Sequence, residues 1–487
     1  MHSVVKTSSG ELRGRTADGV TAFLGVPYAA APFGPRRFRE PAPVTPWEGV
    51  RDALEHGPTA PAPGYPLPFS ALLPVVRVPG EEILNVNVWT PDPTASGLPV
   101  MVWIHGGAFV NGSNSIPSYD GSAFARDGVV LVSVNYRLGA EGFLHLPDAP
   151  PNRGLLDQVA ALRWVRDNIA AFGGDPDAVT VFGESAGGMS VGALLAMPSA
   201  AGLFHRAILQ SGAGHHALSA ATAAKVAGYM AEEVGVAPTV EGFAGVEPAR
   251  LVAAQQALSA QSATTPDPAR WREITLNSMV FEPVVDGEVL PVLPIEAVAA
   301  GASADVEVLV GSNRDEHRFF LVPTGAVDSV TDAAIAAVVG AYRLPAGAVE
   351  AYRAERPDTP DGLVLADLMS DWFFRIPAVR LAEAHGRAHV YEFDWTTPVL
   401  DGRLGSCHAL EIGFVFDTLA AGSDLSGGAP PQALADAMHA AWVAFARTGD
   451  PGWPRYAEGR AVRRFGDVVE TLTDPRGDLR ELWAGVR

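Results

Sequence analysis

Ala178-Val179-Thr180-Val181-Phe182-Gly183-Glu184-Ser185-Ala186-Gly187 joins a short β-branched run to a Gly-x-Ser-x-Gly pentapeptide, and an apolar helical run follows as far as Met197-Pro198. A strand that turns sharply into a helix holds a serine hydroxyl exposed beside a base, the setting a hydroxyl needs to become a nucleophile. Glycines on both sides permit a turn in which a side chain would collide with neighbouring backbone. The helix then points its free N–H groups and positive dipole end at a developing oxyanion.

Outward from this stretch the same alternation continues. Residues 99–104 and 129–134 are apolar runs, and residues 155–172 carry Leu156, Val159, Leu162, Val165 and Ile169 at helical spacing. Strand, strand, helix, strand in continuous apolar runs marks crossover units of a parallel sheet covered on both faces. Earlier, Gly25-Val26-Pro27-Tyr28-Ala29 and the proline-rich residues 58–68 break helices, while residues 83–89 alternate as a strand does. Later, residues 217–261 read as amphipathic helix, and strands return at 305–310 and 389–395. No repeat or low-complexity linker separates units. The expectation is an α/β fold in one domain over residues 1–487, with a helical insertion at 217–300 that caps the sheet and shapes a pocket.

Composition narrows the partners. The 487 residues hold 55 Asp and Glu against 35 Lys and Arg, a net charge of −20 that repels nucleic acid and acidic lipid surfaces. With 48% hydrophobic and 18% charged residues the chain has the apolar content of a large folded core. Lysine occurs only at Lys6 and Lys225, as a G+C-rich coding genome would produce. The lone Cys407 cannot form an intrachain disulfide, the first residues lack the apolar stretch of a secretory signal, and no run approaches the roughly 18 apolar residues of a membrane span. A cytoplasmic location is expected, and oligomeric state is left open.

His105-Gly106-Gly107-Ala108-Phe109 ends the run 99–104. Glycine amides there, with the N–H of Ala186, can approach a carbonyl oxygen without obstruction, which is what acyl transfer asks of an oxyanion hole. In this architecture an acid and then a histidine follow the nucleophile along the chain. Spacing leaves Asp315, Glu316 and Asp394 as acids. Of the later histidines, His439 falls inside a helical run, His385 at a helix end and His389 at a strand start; His317 adjoins the candidate acids, and His408 is the best loop-borne base.

Collectively Phe23-Leu-Gly-Val-Pro-Tyr-Ala29, Arg37-Phe38, Leu84-Asn-Val-Asn-Val-Trp-Thr-Pro91, Asn135-Tyr-Arg-Leu-Gly139, Gly154-Leu-Leu-Asp-Gln158, Phe172-Gly-Gly-Asp-Pro176 and Pro283-Val-Val-Asp-Gly287 resemble the type-B carboxylesterases, the group of cholinesterases and bacterial para-nitrobenzyl esterases. The resemblance runs nearly end to end. It implies an α/β-hydrolase fold, a buried gorge-like site, no cofactor, no metal and a small-molecule ester as substrate. It maps the acid onto Glu316 within Asn313-Arg-Asp-Glu-His317, and the base onto His408 before Glu411, Phe414, Val415 and Phe416. It also suggests that Ser211 supports Glu316, with simple packing as the equal alternative. Two departures stand out: His317 occupies a usual glycine position, and Ala60 and Ile83 replace the cysteines of an early disulfide. The loop between these two positions carries the quaternary-ammonium site in cholinesterases, so choline esters are not expected.

The reaction read from these residues is attack by Ser185 on an ester carbonyl with His408 as base and Glu316 behind it. Amides, carbamates or thioesters would suit the same groups, and a non-catalytic binding protein is the reading from another class. A neutral His408 predicts activity that falls below roughly pH 6 to 7. Glu184 is read as favouring cations near the nucleophile or as structural, and Cys407 as a small buried residue. Trp372-Phe373-Phe374 and Phe319-Phe320 are candidate pocket walls, His215-His216 lacks further metal ligands, and Asn111-Gly112-Ser113 is a turn.

Overall fold

The computed structural model describes residues 1–486. In chain order the strands are β1 (His2–Lys6), β2 (Glu11–Ala17), β3 (Val20–Pro27), β4 (Val50–Asp52), β5 (Asn85–Thr90), β6 (Leu98–Ile104), β7 (Val130–Val134), β8 (Gly174–Glu184), β9 (Arg206–Gln210), β10 (Leu218–Ser219), β11 (Val284–Val285), β12 (Glu307–Asn313), β13 (His389–Asp394), β14 (Ala461–Gly466) and β15 (Val469–Thr473). Among the described residues thirteen of them form one sheet in the order β1-β2-β3-β5-β7-β6-β8-β9-β12-β13-β14-β15, with β4 on β2. The run from β7 to β14 is parallel, and both flanks are antiparallel apart from β4, which pairs parallel to β2.

The apolar runs of the centre follow from burial on both faces. β6 sends Val100, Val102 and Ile104 to one core and Met101 and Trp103 to the other, where Trp103 meets Phe182 of β8 at 4.8 Å. β5 alternates in sequence but all six of its residues are buried. Its polar face is satisfied by loops: Asn87 donates to the Asn114 carbonyl and accepts from the Gly25 amide. The strand expected at 305–310 runs further, because Gly311-Ser312-Asn313 continues β12, with Asn313 paired to Phe393. Gly311 is there because Tyr391 crosses it, and a Cβ would lie 2.3 Å from the Tyr391 carbonyl.

Several helices lie within residues 217–300, the longest being Ala220–Val234 and Pro248–Thr264. A second helical block lies between β12 and β13 and includes Asp361–Ser370, a π-helical turn at Asp371–Arg375, and Ile376–His385. No helix among the described residues is long and apolar enough to cross a membrane.

Candidate active site

β8 ends at Glu184 and the helix Ala186–Ala196 begins two residues later, so Ser185 bridges them alone, with φ 57° and ψ −123°. This conformation is costly for a serine and is held by packing on both sides. The Ser185 amide donates to the Gln210 carbonyl of β9 at 2.9 Å. A Cβ at Gly187 would sit 2.0 Å from the Ile104 carbonyl, and one at Gly183 would sit 2.6 Å from the same oxygen. The helix start is thus pressed against the end of β6, and only glycine allows it.

The loop after β6 is equally constrained. Gly107, Ala108 and Phe109 all have positive φ, and the Gly107 carbonyl accepts from the amides of Val110 and Asn111. A Cβ on Gly107 would lie 2.3 Å from the Asn111 carbonyl, and one on Gly106 would lie 3.1 Å from the Ser185 Cβ. His105 stacks on Tyr136, whose hydroxyl donates to the His105 carbonyl, and its buried ring has a pKa pushed down to about 4. Gly106 and Gly107 line the same cavity as Ser185, and Ala186 follows Ser185 as the first residue of the helix.

His408 approaches from the far end of the chain. Its Nε2 lies 2.9 Å from Ser185 Oγ, and its Nδ1 lies 2.5 Å from Glu316 Oε2. A carboxylate only accepts, so the proton of a neutral ring sits on Nδ1 and Nε2 presents its lone pair to the hydroxyl. Glu316 is fully buried, and its other oxygen accepts from the Asn313 amide at 2.8 Å. Both loops are stapled together. Asn313 Nδ2 donates to the Cys407 carbonyl and to Glu411, which Gln210 also holds. Asp315 donates its amide to the Ser406 carbonyl and accepts the Ser406 amide in return.

The rival acids lie elsewhere. Asp315 faces Arg356 at 2.6 Å and Arg318 at 3.2 Å; burial pushes its pKa up, but the two guanidinium groups prevail and hold it below the usual carboxylate range. Asp394 lies 3.7 Å from Arg464. Of the other histidines, His439 is buried and bonds the Val415 carbonyl, His385 bonds the Ser303 carbonyl, and His216 packs on Phe373 at 4.3 Å. The Ser211 hydroxyl is buried and makes no hydrogen bond to Glu316, whose oxygens accept from the Asn313 amide and the His408 ring. Cys407 is buried, and desolvation pushes its thiol pKa up. Asn111 is buried, with its side chain held by the Gly64 amide.

Glu184 changes the electrostatics. Its Oε1 lies 3.2 Å from His408 Nε2, on the side away from Glu316. Burial disfavours the imidazolium, but Glu184 and Glu316 together outweigh it and raise the His408 pKa to about 9. Burial in turn pushes the Glu184 carboxyl well above its ordinary range. The direction for the imidazole is upward. The acid limb read from sequence at pH 6 to 7 therefore moves to higher pH.

A cavity of about 420 Å³ opens over Ser185. Phe319, Phe320, Phe373 and Phe374 line it as anticipated, but Trp372 does not: the wide turn directs it onto Tyr342, stacked at 4.3 Å. Sequence reading missed Tyr65, Leu72, Leu73, Met369 and the segment Asn277-Ser278-Met279, which also border the cavity. They fall in no motif. The only hint was that the proline-rich residues preceding Leu72 could not be helical.

A family model described as the carboxylesterase family matches residues 1–461. The chain is 38% identical to the para-nitrobenzyl esterase of Bacillus subtilis over 99% of its own length and 98% of that protein's. It is 36% identical to a phenmedipham hydrolase of Pseudarthrobacter oxydans, with 95% of each chain covered. Among solved structures, a carboxylesterase of Geobacillus stearothermophilus superposes with a TM-score of 0.86 at 38% identity, covering 99% of both chains.

Proposed function

From the premise that the chain belongs to the carboxylesterase family, with its α/β-hydrolase fold and serine ester hydrolase activity, we propose that Ser185 is the nucleophile, His408 the general base and Glu316 the carboxylate that orients it. The observation that carries this assignment is the unbroken relay of 2.9 Å from hydroxyl to imidazole and 2.5 Å from imidazole to carboxylate.

Ser185 Oγ attacks the ester carbonyl of a small-molecule substrate and its proton passes to His408 Nε2. The carbonyl π electrons move onto oxygen, where the amides of Gly106, Gly107 and Ala186 receive them. Collapse of this intermediate breaks the bond to the alcohol oxygen, which leaves with the proton from His408. Water, deprotonated by the same nitrogen, then cleaves the acyl-enzyme and regenerates Ser185 as the acid departs. Glu316 keeps the Nδ1 proton in place and compensates the imidazolium. The helices between residues 217 and 300 form an insertion within a single domain over 1–487 and supply Asn277, Ser278 and Met279 to one side of the cavity. A cytoplasmic, bacterial setting is supported by the single cysteine and the full-length bacterial relatives.

Treatment with a fluorophosphonate followed by peptide mapping tests the assignment. The adduct is expected on Ser185, and an adduct on any other residue would refute it.

A further inference from the structure

Among the polar side chains of the cavity wall that the relay does not use, His317 adjoins it in the chain. His317 is 7% exposed, follows Glu316 directly and lines the cavity. Its backbone amide is taken by Ser370 Oγ at 3.0 Å, which fixes the residue at the start of a short helix. The ring is enclosed by Phe320, Phe373 and Phe374, at centroid distances of 5.2, 5.6 and 5.5 Å. Two of these phenyl rings, Phe320 and Phe374, also pack on His408, at 5.3 and 4.8 Å. The two imidazoles therefore share one aromatic cage, and His317 stands within a few atoms of the reacting centre.

Within that cage Nδ1 of His317 is buried and has no hydrogen-bond partner, while Nε2, which bonds no protein group among the described residues either, is the nitrogen not closed off from the cavity. Buried polar atoms are seldom left so, because their lost hydration is not recovered. A packing role alone would be met by a phenyl or leucine side chain, as in the residues around it. Burial, with a smaller contribution from His408, pushes the ring pKa down to about 3, so the imidazole is neutral and offers one donor and one acceptor. It cannot relay protons as a second base through Glu316, since its ring faces the phenylalanines.

Resting on the esterase assignment, the geometry points to His317 as a specificity-determining residue that hydrogen-bonds a polar group of the substrate near the scissile carbonyl. The preferred esters carry a hydroxyl or amide on an otherwise apolar body. A site that presents an unpaired buried group to its substrate discriminates against analogues lacking the complementary one.

Matched ester pairs test this. Para-nitrophenyl N-acetylglycinate against para-nitrophenyl pentanoate places an amide in the acyl chain. The pair 3-hydroxybenzyl acetate and benzyl acetate, followed by pH-stat, places a hydroxyl in the alcohol. The readout is the ratio of kcat/KM between polar and apolar members, which cancels any loss common to both. In His317→Leu the ratio is expected to fall about tenfold for at least one pair, and in His317→Gln, which keeps a donor and an acceptor, to recover in part. His317→Phe, which keeps a ring among rings, carries the same comparison should the leucine variant not fold. Ratios unchanged in both pairs, or a glutamine variant no better than the leucine one, would overturn the proposal. A wild-type protein that hydrolyses none of the four esters and takes no label on Ser185 would instead remove the esterase assignment beneath it.

Discussion

The carboxyl ends of β6 and β8 and the helical wall facing them enclose one cavity under opposite constraints. At the sheet edge the geometry is dictated by backbone against backbone: Gly183 and Gly187 crowd the Ile104 carbonyl, and Gly107 crowds that of Asn111. Across the cavity the wall is side chain against side chain, with Phe319, Phe320, Met369, Phe373 and Phe374 supplied by the segment between β12 and β13. The first surface tolerates almost no substitution. The second tolerates many of similar volume. The reaction is thereby anchored in the part of the molecule that cannot vary, while selectivity is left to the part that can.

The largest effect expected from breaking this contrast is at the nucleophile. Ser185→Ala is expected to lose on the order of a thousandfold or more in kcat, read with para-nitrophenyl butyrate, while circular dichroism and Tm stay close to wild type. Wild-type turnover in that variant would remove Ser185 from the reaction. Next is the edge itself. Gly187→Ala pushes a methyl group into the Ile104 carbonyl, so the helix start and the Ala186 amide must move away from β6. A displacement of about 1 Å at reacting groups costs roughly a hundredfold in kcat. The same measurement, together with a lowered Tm, checks it.

A subtler effect concerns pH. His408 must be neutral to accept the Ser185 proton, so kcat/KM rises with pH through its pKa. The charge of Glu184 is the largest single cause among those that raise this pKa from 6.5 to about 9, ahead of the charge and the hydrogen bond of Glu316. Glu184→Gln removes the charge and keeps the shape, and the acid limb is expected to move down by on the order of one unit. A pH profile of kcat/KM reads the shift, and a limb that stays in place would assign the elevated pKa to Glu316 and Glu411 without Glu184.

The same contrast explains what the sequence disclosed. The elbow and the glycine loop were legible because steric exclusion leaves a residue signature: Gly-x-Ser-x-Gly and Gly-Gly are written in the chain where the backbone needs them. Spacing could not choose among Asp315, Glu316 and Asp394. The resemblance to known esterases pointed to Glu316, and the partners that occupy the other two, Arg356 and Arg464, are remote in the chain from the aspartates they hold. The wall was largely illegible, because apolar residues at helical spacing read as core whether or not a cavity lies beside them. Trp372, Phe373 and Phe374 show this most directly. They are consecutive and alike in sequence, yet the π-helical turn sends the first into packing against Tyr342 and the other two to the cavity.

The smallest effect expected is on this wall, and it separates the two surfaces most cleanly. Phe373 lines the cavity, packs on Phe374 at 4.8 Å and makes no hydrogen bond through its side chain. Phe373→Ala enlarges the space over Ser185 without touching the relay or the glycine loop. Short para-nitrophenyl esters lose apolar contact in both ground and transition states, so KM rises about fivefold while kcat changes by less than about threefold. Longer esters fill the vacated volume and recover the contact, which moves the chain-length optimum upward. Steady-state kinetics across acetate to octanoate distinguish the outcomes. A fall in kcat uniform across the series would mean that the wall holds His408 in place through Phe374, and the division between a fixed reacting edge and an adaptable wall would then fail at its point of contact.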